Sequence, residues 1–348
     1  MSPPGPAARG PALVRGRGAL SGAVVGALCT GRPPGYAPAA VLEADPWGED
    51  LQLALYLLYE LHYRGFEGVD DEREWDPDLL RLRQHAETRV LGALRSELHE
   101  APRTVEDAFG PLLVEPLDPS GSVSHYLEDR GELWQLREYA ALRSLYHLKE
   151  ADPHLWVVPR LSGRAKAGMA AIEYDEFGAG RADGIHARLF ADLMADLGLD
   201  PAYGTYLDRA PAPLLATANL MSLFGLHRAL RGALVGHFAC VEVTSSPGSR
   251  RLVTAMRRCG AGPAAERFYA EHVEADAVHE QVVRREVIGG LLADEPRLEA
   301  DVAFGCAATV LLEARLGAHI TAAWDREASA LRSPLAAPPP PRTPETPS

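Results

Sequence analysis

Apolar positions along most of the chain recur three and four residues apart, the period of an amphipathic helix, and nowhere alternate convincingly enough for a strand. The segment Asp50-Leu-Gln-Leu-Ala-Leu-Tyr-Leu-Leu-Tyr-Glu-Leu-His62 is strongly apolar and predicts a buried helix. Asp76-Pro77 predicts the start of another, reaching about Leu98, with Asp76 as N-cap and Pro77 in the first turn. An irregular stretch from Ala101 to Gly121 follows. Further helices are predicted over 122–151, 163–197, 211–226, 227–246, 249–259, 263–291 and 294–329. No glycine-rich loop follows a strand and no fixed period repeats. The fold class is all-α.

Residues 1–40, rich in Pro, Gly, Ala and Arg, read as a disordered arm. Residues 41–120 read as a helical extension laid on the main helical domain, 121–330. Residues 331–348, with Pro338 to Pro341 in a row, read as a Pro-rich disordered tail. Arg15 and Arg17 precede a short apolar stretch, Ala19 to Cys29, faintly like a secretory leader. Its glycines make it weakly hydrophobic, and Leu28 before Cys29 is wrong for a lipoprotein cleavage site. The expectation is therefore a cytoplasmic protein.

Hydrophobic residues make up 47% of the 348, enough to bury a full core. The formal charge of −13 argues against a nucleic-acid backbone or an anionic membrane as partner. No run of about 18 apolar residues occurs, so no membrane span is expected. Cys29, Cys240, Cys259 and Cys306 form no C-x-x-C pair, which suits a reducing compartment and makes no zinc site.

The most specific pattern is His272-Val-Glu-Ala-Asp276-Ala-Val-His279. At about 100° per residue, Asp276 lies about 40° from His272 and His279 about 20° on the other side. The three share one helix face, and a metal site needs more ligands from facing helices. Four candidates stand out: Glu150 at a helix end, Glu176, His186 ten residues on, and Glu242 after a very apolar run. Gly178, Gly180 and Gly184 permit the kink that would bring Glu176 and His186 together. Glu242 is expensive to bury unpaired; a metal or a nearby arginine, Arg228 or Arg231, would satisfy it. A lone histidine or glutamate usually has a plainer role, at the surface or hydrogen-bonded in a core. The common face of the triple is what favours a metal. Four carboxylates, three imidazoles and no thiolate suit iron or manganese, and seven ligands suit two ions.

From about Tyr139 to Trp324 the chain resembles the heme-oxygenase-like di-iron oxidases and oxygenases. The resemblance is carried by His147-Leu-Lys-Glu-Ala-Asp-Pro-His154, Pro159-Arg-Leu-Ser-Gly163, Asp175-Glu-Phe-Gly178, Leu226-His-Arg228, Arg231-Gly-Ala-Leu-Val-Gly236 and Glu271-His-Val-Glu-Ala-Asp-Ala-Val-His279. It implies a seven-helix bundle holding two irons on Glu150, Glu176, His186, Glu242, His272, Asp276 and His279, with manganese as an alternative at one site. The partition we expect places Glu150, His186 and His279 on one iron and Glu242, His272 and Asp276 on the other, bridged by Glu176. Glu176 and Asp276 are the residues expected to act in catalysis. The implied activity uses Fe(II) and O2 for N-oxygenation, desaturation or C–C cleavage of an amino-acid- or fatty-acid-like compound. A homodimer, and an electron-donor or carrier protein, are the macromolecular partners compatible with it. Glu173 is expected to face solvent or a supporting partner, and Arg228 and Arg231 to form salt bridges rather than hold a substrate carboxylate.

Other readings compete. Heme oxygenase chemistry needs one axial histidine and would waste seven ligands. Ferritin-like sites carry Glu-x-x-His twice, whereas here the spacing occurs once, as Asp276-x-x-His279. A non-enzymatic helical iron- or partner-binding protein with a vestigial site would bind no iron tightly and consume no O2.

Overall fold

In the computed structural model, which describes residues 10–114 and 121–336, every regular element is a helix. The principal ones are α1 (Ala19–Thr30), α2 (Glu49–Glu60), α3 (Pro77–Glu97), α4 (Val123–Arg130), α5 (Leu133–His147), α6 (Gly163–Glu176), α7 (His186–Asp196), α8 (Ala212–Gly225), α9 (Arg231–Arg258), α10 (Pro263–Val282) and α11 (Glu299–Trp324). Asp76 caps α3, its carboxylate accepting from the amides of Asp78 and Leu79, with Pro77 in the first turn.

Helix α9 is the spine. It packs along α10 on one side and α11 on another, while α7 lies on α10 and α8 joins α2 to α11. Gly236 and Gly305 let α9 and α11 approach closely, because a Cβ at either would collide with the facing backbone of Val302 or Ala233. The periodicity predicts a break between 246 and 249, where Pro247 and Gly248 stand. Instead α9 runs through Pro247. Nearby hydroxyls take part in the packing: Thr244 donates to the Cys240 carbonyl at 2.8 Å and Ser246 to the Val273 carbonyl on α10 at 3.3 Å. Contact with α10 outweighs a proline cost of about 3 kcal/mol. Beyond α10 the chain widens into a π-helical turn, Val283–Ile288, before a short helix, Gly289–Asp294.

The N-terminal arm differs from its expected disorder wherever it is described. Helix α1 buries Leu20, Val24 and Leu28 against the core. Asp50 accepts from the amides of Leu20 and Ser21 at 2.9 and 2.7 Å. Arg17 pairs with Glu49 at 2.6 Å and donates to the carbonyls of Leu207 and Ala210 at 2.8 and 2.7 Å. These partners are distant in sequence, so local composition could not reveal them. The tail is likewise ordered at its start: Leu331 is buried and the Arg332 amide donates to the Arg209 carbonyl at 2.9 Å. Pro338 to Pro341 lie outside the described residues.

One helical stretch, Pro296–Trp324, is long and apolar enough to cross a membrane by length and composition, a feature the apolar-run count overlooks. Half of its apolar window is buried inside the bundle, where it packs on α8 and α9 as a core helix.

Candidate metal centre

All seven predicted residues converge on the space between α5, α6, α7, α9 and α10. Glu150 stands just past the end of α5, and its Oε2 lies 2.9 Å from His147 Nδ1. Glu176 is the last residue of α6 and His186 the first of α7. The intervening chain is a reversal rather than a kinked helix. Gly178, Ala179 and Gly180 take φ of 74°, 51° and 83°, and Gly178 lies so close to Gly184 that a Cβ would sit 2.6 Å from the Gly184 carbonyl carbon. This fold-back returns His186 to Glu176, with Nδ1 at 2.7 Å from Oε2.

Helix α10 brings in His272, Asp276 and His279, all buried, and α9 brings in Glu242. His272 Nδ1 donates to the Phe268 carbonyl at 2.7 Å. A carbonyl only accepts, so Nδ1 carries a proton, and in the neutral ring Nε2 is the nitrogen whose lone pair can bind a metal. His279 is held similarly: its Nε2 donates to Asp175 Oδ2 at 3.4 Å, leaving Nδ1 turned inward. There Nδ1 lies 3.3 Å from Glu242 Oε2, 3.5 Å from Glu176 Oε1 and 3.8 Å from Asp276 Oδ1. Ser245 donates to the other Asp276 oxygen.

Two groupings result. Ligand atoms of Glu176, His186 and His272 lie within 4.8 Å of one another, and so do those of Glu176, Glu242 and His279. Glu176 belongs to both. The structure therefore seats His186 with His272, ring centroids 4.5 Å apart, and His279 with Glu242. This differs from the expected partition, which placed His186 with His279 and His272 with Glu242. The fold-back after α6 decides it by laying His186 against the first turn of the triple. Asp276 borders the His279 grouping. Glu150, whose carboxylate is acted on by the charges of His272 and His186, borders the other.

The residues fit a metal on grounds independent of their identity. Glu176 Oε2, His186 Nδ1, Glu242 Oε2, His272 Nε2 and His279 Nδ1 are all buried without a hydrogen-bond partner. His186 and Glu176 approach to 2.7 Å yet lack hydrogen-bond geometry, as donors aimed at a common third point would. Buried polar atoms are rarely left unsatisfied, and a cation in each grouping would satisfy all five. In the metal-free cluster, protons take that place. Burial lowers the basicity of His186 and His279, but their carboxylate neighbours, Glu176 and Glu242 foremost, more than reverse this and bring each to about 9. Burial pushes the Glu242 and Asp276 carboxyls up, against the pull of His279 and His272 respectively. Burial also works to raise Glu150, but the adjacent His147 overcomes it and holds that carboxyl low.

Sequence reasoning missed four residues. His147 positions Glu150, Asp175 orients His279 and Ser245 holds Asp276. Glu173, expected to face solvent or a supporting partner, is 2% exposed, and neither of its oxygens has a partner. Burial, then the nearby Glu176 and Glu242, push it up to about 9. Of the two arginines, Arg231 forms its expected salt bridge, with Glu295, while Arg228 is exposed. A surface cleft of about 720 Å³ is lined by Val105, Phe109, Arg284 and Arg285 among others and includes none of the seven.

A family model described as an iron-containing redox enzyme matches residues 137–314, a span that runs from α5 into α11 and contains all seven residues. No curated protein matches the chain.

Proposed function

The chain belongs to the iron-containing redox enzyme family, and from that premise we propose that it is a non-heme di-iron oxygenase using O2 to oxidise a small organic substrate. Its fold is the heme-oxygenase-like all-α fold, and its family makes it an iron-dependent oxidoreductase. The observation that carries the finer reading is the position of Glu176. Its Oε2 faces His186 and its Oε1 faces His279, so one carboxylate serves two separate groupings. A carboxylate shared in this way would hold an ion through each of its oxygens.

His186 and His272 would hold one iron, Glu242 and His279 the other, with Glu150 and Asp276 completing the two sides. When bound, such an iron pair supplies the reducing electrons for O2 activation. The chain supplies the rest. Phe190 and Phe268, packed at 5.0 Å, wall the centre beside His147 and His272 and exclude water. Asp175 and the Phe268 carbonyl fix the tautomers of His279 and His272. Glu242 and the two raised imidazoles give up protons as metal enters.

The proposed substrate is an amino-acid- or fatty-acid-like molecule undergoing N-oxygenation, desaturation or C–C cleavage. Manganese at one site, a homodimer and an electron-donor or carrier protein are compatible with the proposal. Four unpaired cysteines support a cytoplasmic setting.

Anaerobic Fe(II) titration followed by mixing with O2 tests the reading. The wild-type protein is expected to take up about two irons per chain and consume O2, and Glu176→Ala to retain at most one. Wild-type protein that binds no iron, or one iron without reacting with O2, would sink it.

A further inference from the structure

Glu173 lies one turn before Glu176 on α6, buried, with both carboxyl oxygens unpartnered. The charges acting on it most strongly are all carboxylates: Glu176, Glu242, Asp152 and Glu150. The four ligand carboxylates, Glu150, Glu176, Glu242 and Asp276, balance two divalent ions, and the imidazoles are neutral when they bind metal. Glu173 is then a fifth carboxyl with no counter-charge, and burial together with its carboxylate neighbours keeps a proton on it near neutral pH. The inference rests on the di-iron reading through this count.

A second observation comes from α9. His237 Nδ1 lies 2.8 Å from the Thr309 hydroxyl, which donates its single proton to the Gly305 carbonyl. His237 Nδ1 is therefore the donor, and Nε2 is a buried acceptor without a partner. His154, four residues past Glu150, lies beside it with ring centroids 5.4 Å apart and neither nitrogen partnered. Buried acceptors without a partner thus flank the centre, alongside the unpartnered hydroxyls of Tyr146 and Tyr269.

Four buried or half-buried cations that could receive a substrate carboxylate are already engaged. Arg143 is paired with Glu313, Arg231 with Glu295 and Lys149 with Glu60, while Arg137 donates to the carbonyls of Leu197 and Gly198. We propose that Glu173 receives a positively charged nitrogen of the substrate, so that the enzyme acts on an amine, bound as its ammonium ion beside the metal centre. The ammonium hydrogens satisfy the Glu173 oxygens, and its charge replaces the proton that Glu173 otherwise holds, which is released to solvent. A fatty-acid-like substrate, entering carboxylate first, meets a fifth carboxylate instead.

Isothermal titration calorimetry on anaerobic, Fe(II)-loaded protein tests this with ethylamine through hexylamine, and with the alkanols and alkanoates of the same lengths. Near neutral pH the amines are cations. They are expected to bind at least about thirtyfold more tightly than either comparison series. Glu173→Gln should keep the wild-type iron count and lose this preference. Alkanoates binding as well as the amines, or no amine binding, overturns the proposal without any variant being needed. So does Glu173→Gln binding amines like the wild type, or losing an iron, which would make Glu173 a ligand. Wild-type protein that takes up no iron overturns the di-iron reading instead, and the same titrations on it still decide between amine and alkanoate.

Discussion

At the scale of single residues, the centre depends on which nitrogen of each imidazole carries a proton. Asp175 decides this for His279 through its contact with Nε2. Asp175→Asn weakens that orienting bond, and iron affinity should fall about ten- to a hundredfold in competition with a chelator, the fold staying intact. Protons also compete with iron. His186 and His279, raised from 6.5 to about 9 in the metal-free protein, must be deprotonated to bind. Apparent iron affinity should therefore climb as pH rises from 6.5 to 9, with net proton release on binding; a flat profile in paired pH titrations would contradict this. The same groups bind protons more tightly folded than unfolded. Their contribution to metal-free stability is full below 6.5 and lost as pH rises through 9. His272, Asp276 and His279 drew attention through their spacing on one helix face, and Glu150, Glu176, His186 and Glu242 through the resemblance. Asp175 and Ser245 were not, because their roles appear only once α6, α9 and α10 are placed together. Glu173 had a signal that was passed over: three residues from Glu176, it lies only about 60° away around the helix.

At the scale of elements, the least regular piece is the most consequential. The sequence pattern continues a helix from 163 to 197 and allows a glycine kink; the chain breaks fully and reverses over 177–185. The glycines signalled freedom but not its extent, which is set by the contact of Gly178 with Gly184. Gly178→Val puts a β-branched residue at φ 74° and against that contact. It should cost on the order of 1–3 kcal/mol and displace His186. Iron uptake should drop to about one per chain, retained on Glu242 and His279, as read by metal analysis after desalting; two retained irons would show that the reversal does not position His186. The opposite error occurs at Pro247, where a local breaker predicts an end and α9 continues. Propensity is a local signal, and packing against α10 overrides it.

At the scale of the molecule, helices outside the family match are part of the same core. Nearly every residue of α2 is buried, and its last residue, Glu60, pairs with Lys149 at 2.5 Å, both almost wholly inaccessible. Tyr203 donates to Glu60 at 2.9 Å, and the Lys149 ammonium lies over the Tyr56 and Tyr63 rings at 4.7 and 4.5 Å. Lys149 is the neighbour of Glu150, so the extension braces a metal-centre residue. Glu60→Ala leaves a buried ammonium unpaired and should cost about 3–5 kcal/mol in denaturant unfolding; a loss below about 1 kcal/mol would mean the pair is dispensable. The all-α class was legible from periodicity, but the order of residues 10–40 was not, because it is made by long-range contacts from Arg17 and Asp50. The central claim is that this bundle holds two ions on one shared carboxylate. Anomalous diffraction at the iron edge from crystals loaded anaerobically with Fe(II) tests it most directly. The account predicts two peaks about 4 Å apart or less, each bonded to a different oxygen of Glu176. A single peak, or two that do not share Glu176, would contradict it.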